Sequence, residues 1–207
     1  MAGLQDDLAS VFEEIGTLVE IVGSSPVVRE YIDVEQNVQV SNPFIREHFI
    51  EGTLKAQTKI TPGELLLFVG KNLTYLVVNH SPELFEDEIV SISTTLYKCN
   101  AVVTVKRQSG TDRDPVTRQQ VPVWADVFTS PAPVTSALRG SPSDLNDQQS
   151  FLQFSTKEKV AYFPERIAPK VLDRLVMPSG EKYKIANVEY YRFNGVVVCD
   201  LEEDTRA

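Results

Sequence analysis

Cysteine is scarce in this chain of 207 residues: Cys99 and Cys199 are the only two, and neither stands in a CxxC pair. That argues against a disulfide framework and leaves two small buried residues as the expectation. Histidine is as rare. His48 and His80 have no second ligand at metal spacing, and His80, in Asn79-His80-Ser81-Pro82, reads as an exposed turn residue. Basic side chains are in deficit, 20 against 29 acidic, for a net charge of −9. Such a chain is poorly suited to wrapping nucleic acid, because binding needs cations that displace counterions from the phosphates. No apolar run is long enough to cross a bilayer and no signal-peptide pattern opens the chain, so a protein made and kept in the cytosol, away from membranes, is expected. A GxSxG elbow, a Gly-Lys-Ser/Thr phosphate loop and an HExxH pair are all missing. The acidic runs Glu86-Asp87-Glu88 and Glu202-Glu203-Asp204 lack EF-hand spacing and its glycine, and read as solvated. The expectation is a non-enzyme with no catalytic residue, metal or cofactor.

What the chain does have is repetition. Tyr75, Val77, Asn79 and Phe85 are spaced as Tyr183, Ile185, Asn187 and Phe193 are, and Ile89 and Val197 each follow the tyrosine by fourteen residues. Leu65 and Gly70 lie five apart, as do Leu175 and Gly180. Each copy reads as a strand, a glycine turn, a Tyr-led alternating strand, a loop, an aromatic and a further strand. Two related small β-modules in one chain are a plan met more often in assembly parts than in enzymes. A composition of 42% hydrophobic and 24% charged residues is that of an ordinary globular protein.

Along the chain, Leu4, Leu8, Val11, Phe12, Ile15, Leu18, Val19 and Val22 follow helical spacing, with Asp6, Asp7, Glu13 and Glu14 on the other side. This predicts an amphipathic helix over 1–22, packed on its own domain or docked as an arm on a neighbouring subunit. Short β-branched runs and close turns then predict a mainly β protein of two small barrel or sandwich modules in tandem, 23–98 and 99–207. Ala101–Lys106 is expected to run into a polar loop over 107–120, and Val121–Thr129 to return from it. Residues 129–150, rich in Ser, Pro, Thr, Asp and Gln, form the one long stretch without periodicity, which is usually functional when it falls in a compact domain. Arg107, Arg113 and Arg118 cluster at the expected hairpin tip as candidates for contact with phosphates or an acidic partner, although Asp112 and Asp114 offset much of their charge. The aromatic residues Tyr75, Phe85, Tyr183, Tyr190, Tyr191 and Phe193 read as barrel core and rim. An oligonucleotide- or peptide-binding barrel would need a more basic aromatic face, and a hydrolase would need a paired acid, base and nucleophile.

The second module resembles the head–tail joining (head closure, or stopper) proteins of long-tailed bacteriophages. The resemblance rests on Val103-Thr104-Val105-Lys106-Arg107, Val123-Trp124-Ala125-Asp126-Val127-Phe128, Asp173-Arg174-Leu175-Val176-Met177-Pro178-Ser179-Gly180, Tyr183-Lys184-Ile185 and Phe193-Asn194-Gly195-Val196-Val197. It covers about residues 102–206, and family members are usually single modules of half this length. It implies a homo-oligomeric ring in the virion neck, assembled in the host cytoplasm. Such a ring sits on a portal or adaptor and offers a platform to a tail terminator or tail tube. Packaged DNA passes through without sequence-specific binding, and the acidic balance suits such a lumen. An adaptor or a tail terminator of the same neck is the neighbouring reading. The parts expected to stand off the cores are the helix with Phe12 and Glu13, the hairpin tip with Arg107, Arg113 and Arg118, and the 129–150 segment with Leu138, Arg139 and Asp144. Pro131–Gln149 in particular is expected to reach toward the channel or an adjacent subunit.

Overall fold

The computed structural model describes residues 2–35, 48–116, 118–139 and 153–206. The helix α1 (Ala2–Ile15) ends before Gly16, and β1 (Thr17–Ile21) follows at once. The helix expected over 1–22 is therefore shorter. A Cβ on Gly16 would collide with the Phe12 carbonyl oxygen, which fixes the turn. Beyond it Val19 and Ile21 are buried while Leu18 and Glu20 are only half-covered, a period of two that the helical spacing had absorbed.

β1 opens a closed six-stranded barrel with β2 (Arg29–Glu35), β3 (Phe49–Lys55), β4 (Leu65–Phe68), β5 (Leu73–Phe85) and β6 (Glu88–Lys98), in the order β1-β2-β3-β6-β5-β4. Val19, Ile32, Leu54, Leu66, Phe68, Tyr75, Val77 and Leu96 fill its interior. Helix α1 lies against β2, β3 and β6 of this same barrel.

The second half is a seven-stranded antiparallel sheet made of β7 (Ala101–Arg113), β8 (Gln120–Ala132), β9 (Val134–Arg139), β10 (Gln153–Pro164), β11 (Arg174–Val176), β12 (Lys182–Phe193) and β13 (Val196–Glu203). Their order is β8-β7-β11-β12-β13-β10-β9. The two end strands, β8 and β9, are consecutive in the chain and separated only by Pro133, whose carbonyl accepts a hydrogen bond from the Tyr162 amide of β10 at 3.1 Å. The sheet thus curls round on itself over a core of Val103, Val105, Phe163, Leu175, Tyr183, Ile185 and Leu201. β1 and β7, β4 and β11, β5 and β12, β6 and β13, and β3 and β10 take corresponding places in the two sheets. β2, which bridges β1 and β3, corresponds to β8 and β9 together.

The sequence repeat is written into this geometry. The repeat's leucine flank is off by one: Leu175 opposes Tyr183, but the residue opposite Tyr75 is Leu66, and the matched Leu65 opposes Leu76. Each Tyr-led strand then carries a bulge at the same place, between Val77 and Asn79 and between Ile185 and Asn187. Each hairpin closes on a two-residue turn directly after the repeated phenylalanine, with Phe85 opposite Glu88 and Phe193 opposite Val196. The matched glycines are less alike: Gly180 holds φ +87°, whereas in the first module Asn72, not Gly70, takes the left-handed position at φ 50°.

The modules meet through a small third core of Leu65, Leu76, Val78, Tyr97 and Val196, with Val22, Phe49, Cys99, Tyr162 and Phe193 at its margin. Tyr75, Leu76, Val77 and Val78 are all buried because β5 is covered on both faces, one by its own barrel and one by the second module. Backbones touch here. Gly63 (φ +86°) and Gly195 (φ +71°) approach so closely that a Cβ on either would overlap the other segment's backbone. Asn100 ties the connection down, donating to the Val134 carbonyl at 2.7 Å and accepting from the Val134 amide at 2.8 Å.

Three loop expectations are corrected by this arrangement. Residues 129–139 are not loop: they finish β8 and form β9, and Ala132 and Val134 are core. They carry no alternation because consecutive residues pack on different strands at the Pro133 corner. Residues 140–149, with Asp144, lie outside the described residues. The polar loop over 107–120 shrinks to 114–119, because polar side chains on an exposed ribbon look like loop. Ser81-Pro82-Glu83 likewise sits inside β5, paired with Ser93, Ile92 and Ser91. His80 is therefore a half-buried strand residue and not an exposed turn.

Candidate functional site

Two hairpins project as long ribbons, one from the closed barrel and one from the curled second sheet. That sheet is a half-barrel and not the second closed barrel or sandwich expected. In β7 and β8 burial stops near Lys106 and Phe128, while pairing continues out to Arg113 opposite Gln120. In β5 and β6 every residue from Ser81 to Ile89 is exposed, while pairing continues to Phe85 opposite Glu88. A lone two-stranded ribbon is marginally stable in water, so what fastens each arm matters.

The β7–β8 arm is fastened at its root. Arg107 grips Asp173 with both prongs of its guanidinium, Nε to Oδ1 at 2.8 Å and Nη2 to Oδ2 at 2.7 Å. Asp173 is buried and also accepts the Lys170 amide at 2.9 Å. Next to it Arg174, only 3% exposed, donates Nε to Asp204 Oδ2 at 2.7 Å and Nη2 to the Arg206 carbonyl at 2.5 Å. Arg206 turns back on the same carboxylate, Nε to Oδ1 at 2.7 Å and Nη2 to Oδ2 at 2.9 Å. Both guanidinium groups lie against the ring of Trp124, Arg174 at 3.9 Å and Arg206 at 4.8 Å from its centroid, so the tryptophan of β8 is held by cation–π contact. Burial disfavours the Asp204 anion, but the hydrogen bonds from Arg206 and Arg174 outweigh it and hold the carboxyl well below the usual carboxylate range. Asp204 is thus a buried anchor and not the solvated residue expected from Glu202-Glu203-Asp204.

The expected arginine cluster divides. Arg107 faces inward at the arm's root, while Arg113 and Arg118 stay together at the tip, where Arg113 Nε donates to the Arg118 carbonyl at 3.2 Å. With Asp114 and Pro115 they line an open concavity of about 230 Å³. The aspartates serve the turn: Asp112 Oδ1 accepts the Arg113 amide and Asp114 Oδ1 the Val116 amide, each at 2.7 Å.

The β5–β6 tip is of opposite character. Leu84 (65% exposed), Phe85 (53%) and Ile89 (42%) stand in water beside Glu83, Glu86, Asp87 and Glu88. At the other end of the first barrel, Phe12 is buried against it and Glu13 is exposed, which matches the reading of α1 as a helix packed on its own domain; Val11 and Ile15 remain exposed. Leu138 and Arg139 fall in β9, but their side chains, like Asp144, lie outside the described residues.

Titratable groups elsewhere suit a packing role. Burial pushes the Cys99 and Cys199 thiols up to about 12, and both are free. His80 Nε2 and His48 Nδ1 are buried with no hydrogen-bond partner among the described residues, and burial lowers the pKa of His80. Among the described residues no three His, Cys, Asp or Glu side chains converge as metal ligands, and no helix is long and apolar enough to cross a membrane. No family model, no curated protein and no solved structure matches the chain.

The roles of Asp173, Arg174, Trp124 and Asp204 were missed by sequence reasoning. The one available signal was the adjacent Asp173-Arg174 pair heading an otherwise apolar strand, since charges there need partners.

Proposed function

We propose that the chain is a structural protein that assembles into an oligomeric ring through its projecting hairpins. Following the resemblance of residues 102–206, the ring belongs in the neck of a tailed virus as a head-closure component between portal and tail. The observation that carries the reading is the pair of ribbons whose exposed tips, apolar and acidic on one and arginine-bearing on the other, have no covering among the described residues. Ribbons of that kind gain stability and purpose when a neighbour covers them. Two modules locked by a shared apolar junction add the stiffness a load-bearing ring requires. The acidic balance disfavours adsorption of a passing polyanion.

Electron cryo-microscopy of the chain mixed with its portal protein, or of particles that contain the chain, tests the reading. Ring density coaxial with the portal is the expected result and gives the subunit number. A chain that stays monomeric and never joins the portal would refute it, and a ring found only at the distal end of isolated tails would move the protein to the terminator position.

A further inference from the structure

The net charge of this protein is not spread along it. Residues 1–98 carry 15 acidic and 6 basic side chains, whereas residues 99–207 carry 14 of each, so the whole excess of −9 sits in the first module and its helix. The first modules of two copies repel, whereas a first and a second module do not. This favours a heterologous, head-to-tail contact over a two-fold one through the first modules.

We propose that the contact joins the two arm tips: the β5–β6 tip of one copy seats Phe85 in the concavity at the β7–β8 tip of the next. The proposal rests on the ring reading above and names the surfaces that would build it.

The acidic tip is shaped for an outside partner. Leu84 and Ile89 oppose each other directly across the ribbon, and no lysine or arginine occurs between Lys71 and Lys98. Its apex is Glu86-Asp87, both at positive φ, 49° and 68°. In the sister hairpin, which turns at Asn194-Gly195, only the glycine is at positive φ, +71°. Glutamate at positive φ is costly, so the first hairpin gives up local stability to present carboxylates next to an exposed phenylalanine.

The receiving tip has the complementary chemistry. Arg113, Arg118 and Pro115 offer two guanidinium groups and an apolar ring around one open concavity. Guanidinium faces and proline accept an aromatic ring, and guanidinium edges accept carboxylates. Asp112 and Asp114 accept the turn's own amides.

Mass photometry and sedimentation of the full chain test this, with circular dichroism to show that each variant is folded. The variants are Phe85→Ser, the pair Glu86→Lys and Glu88→Lys, the pair Arg113→Glu and Arg118→Glu, and all four reversals together. Wild type is expected to self-associate. Phe85→Ser and each reversed pair should raise the dissociation constant about tenfold or more, and the four reversals together should restore association. If the wild type forms rings that none of the variants weakens, the tip contact is wrong while the ring reading stands. Failure of the fourfold variant to recover would show that these tips do not face each other. A folded wild type that stays monomeric at high micromolar concentration overturns the contact, and its portal binding then decides the ring reading separately.

Discussion

Replacing Asp204 with Asn keeps the shape of the side chain and removes its charge, which isolates the clamp over Trp124. Four donor contacts end on this carboxylate: Nε of Arg174 and the amide, Nε and Nη2 of Arg206, at 2.7 to 3.0 Å. The side chains of Arg174 and Asp204 are 4% and 1% exposed, so the substitution removes the carboxylate that Arg174 Nε donates to in a buried site. Breaking a buried pair from one side costs about 3–5 kcal/mol. Arg174 keeps the Arg206 carbonyl and the Trp124 ring, and the Asn oxygen still accepts a bond, so the lower end, about 3 kcal/mol, is expected. For a chain of this length that corresponds to a fall of about 6–12 °C in Tm. Trp124 is the only tryptophan, so its fluorescence reports the clamp directly during urea and thermal unfolding. The pH dependence adds a second check. The folded protein favours the Asp204 anion, so its contribution is complete above the ordinary carboxylate pKa, about 4, and fades as pH falls further toward the lower folded value. The stability gap between wild type and variant should hold constant from neutrality to about pH 5 and narrow only below about pH 4. A loss under about 1 kcal/mol at neutral pH, the worth of an exposed pair, would refute the buried clamp.

At the junction, Gly195→Ala forces a side chain against the Pro62 carbonyl at a left-handed φ, and should cost about 2 kcal/mol or more by urea denaturation; an unchanged midpoint would contradict the close approach. Leu76→Ala, which empties a fully buried site between the modules, should cost about 2–5 kcal/mol, and a two-step unfolding curve would show that it uncouples them. Native Cys99 and Cys199 should resist a thiol reagent at about pH 8 and react promptly in denaturant, because burial disfavours both thiolates; rapid labelling of the folded chain would oppose this.

Much of the fold was legible because local rules wrote it. The Tyr-led repeat fell on paired hairpins with one shared bulge, since alternation and turn residues report directly on pleat and hairpin. Two misreadings share a cause: Ser81–Glu83 lies on an exposed ribbon and Thr129–Val134 runs through a corner, and there the period of two does not survive. Thr17–Ile21 does alternate, but its apolar residues also fit the helical spacing that precedes them. The candidate surface was half legible: Arg113 and Arg118 do share a tip, but Arg107 is turned inward by an aspartate sixty-six residues away.

By itself, the sequence determined a mainly β chain, two related modules, an amphipathic N-terminal helix and an acidic balance; composition and nearest-neighbour periodicity suffice for each. Only the tertiary structure decided that β8 and β9 form the two ends of a curled second sheet, that the modules share a core, and that Arg174, Asp204, Arg206 and Trp124 meet. These depend on contacts between residues far apart in the chain, and no local pattern in either partner announces the other.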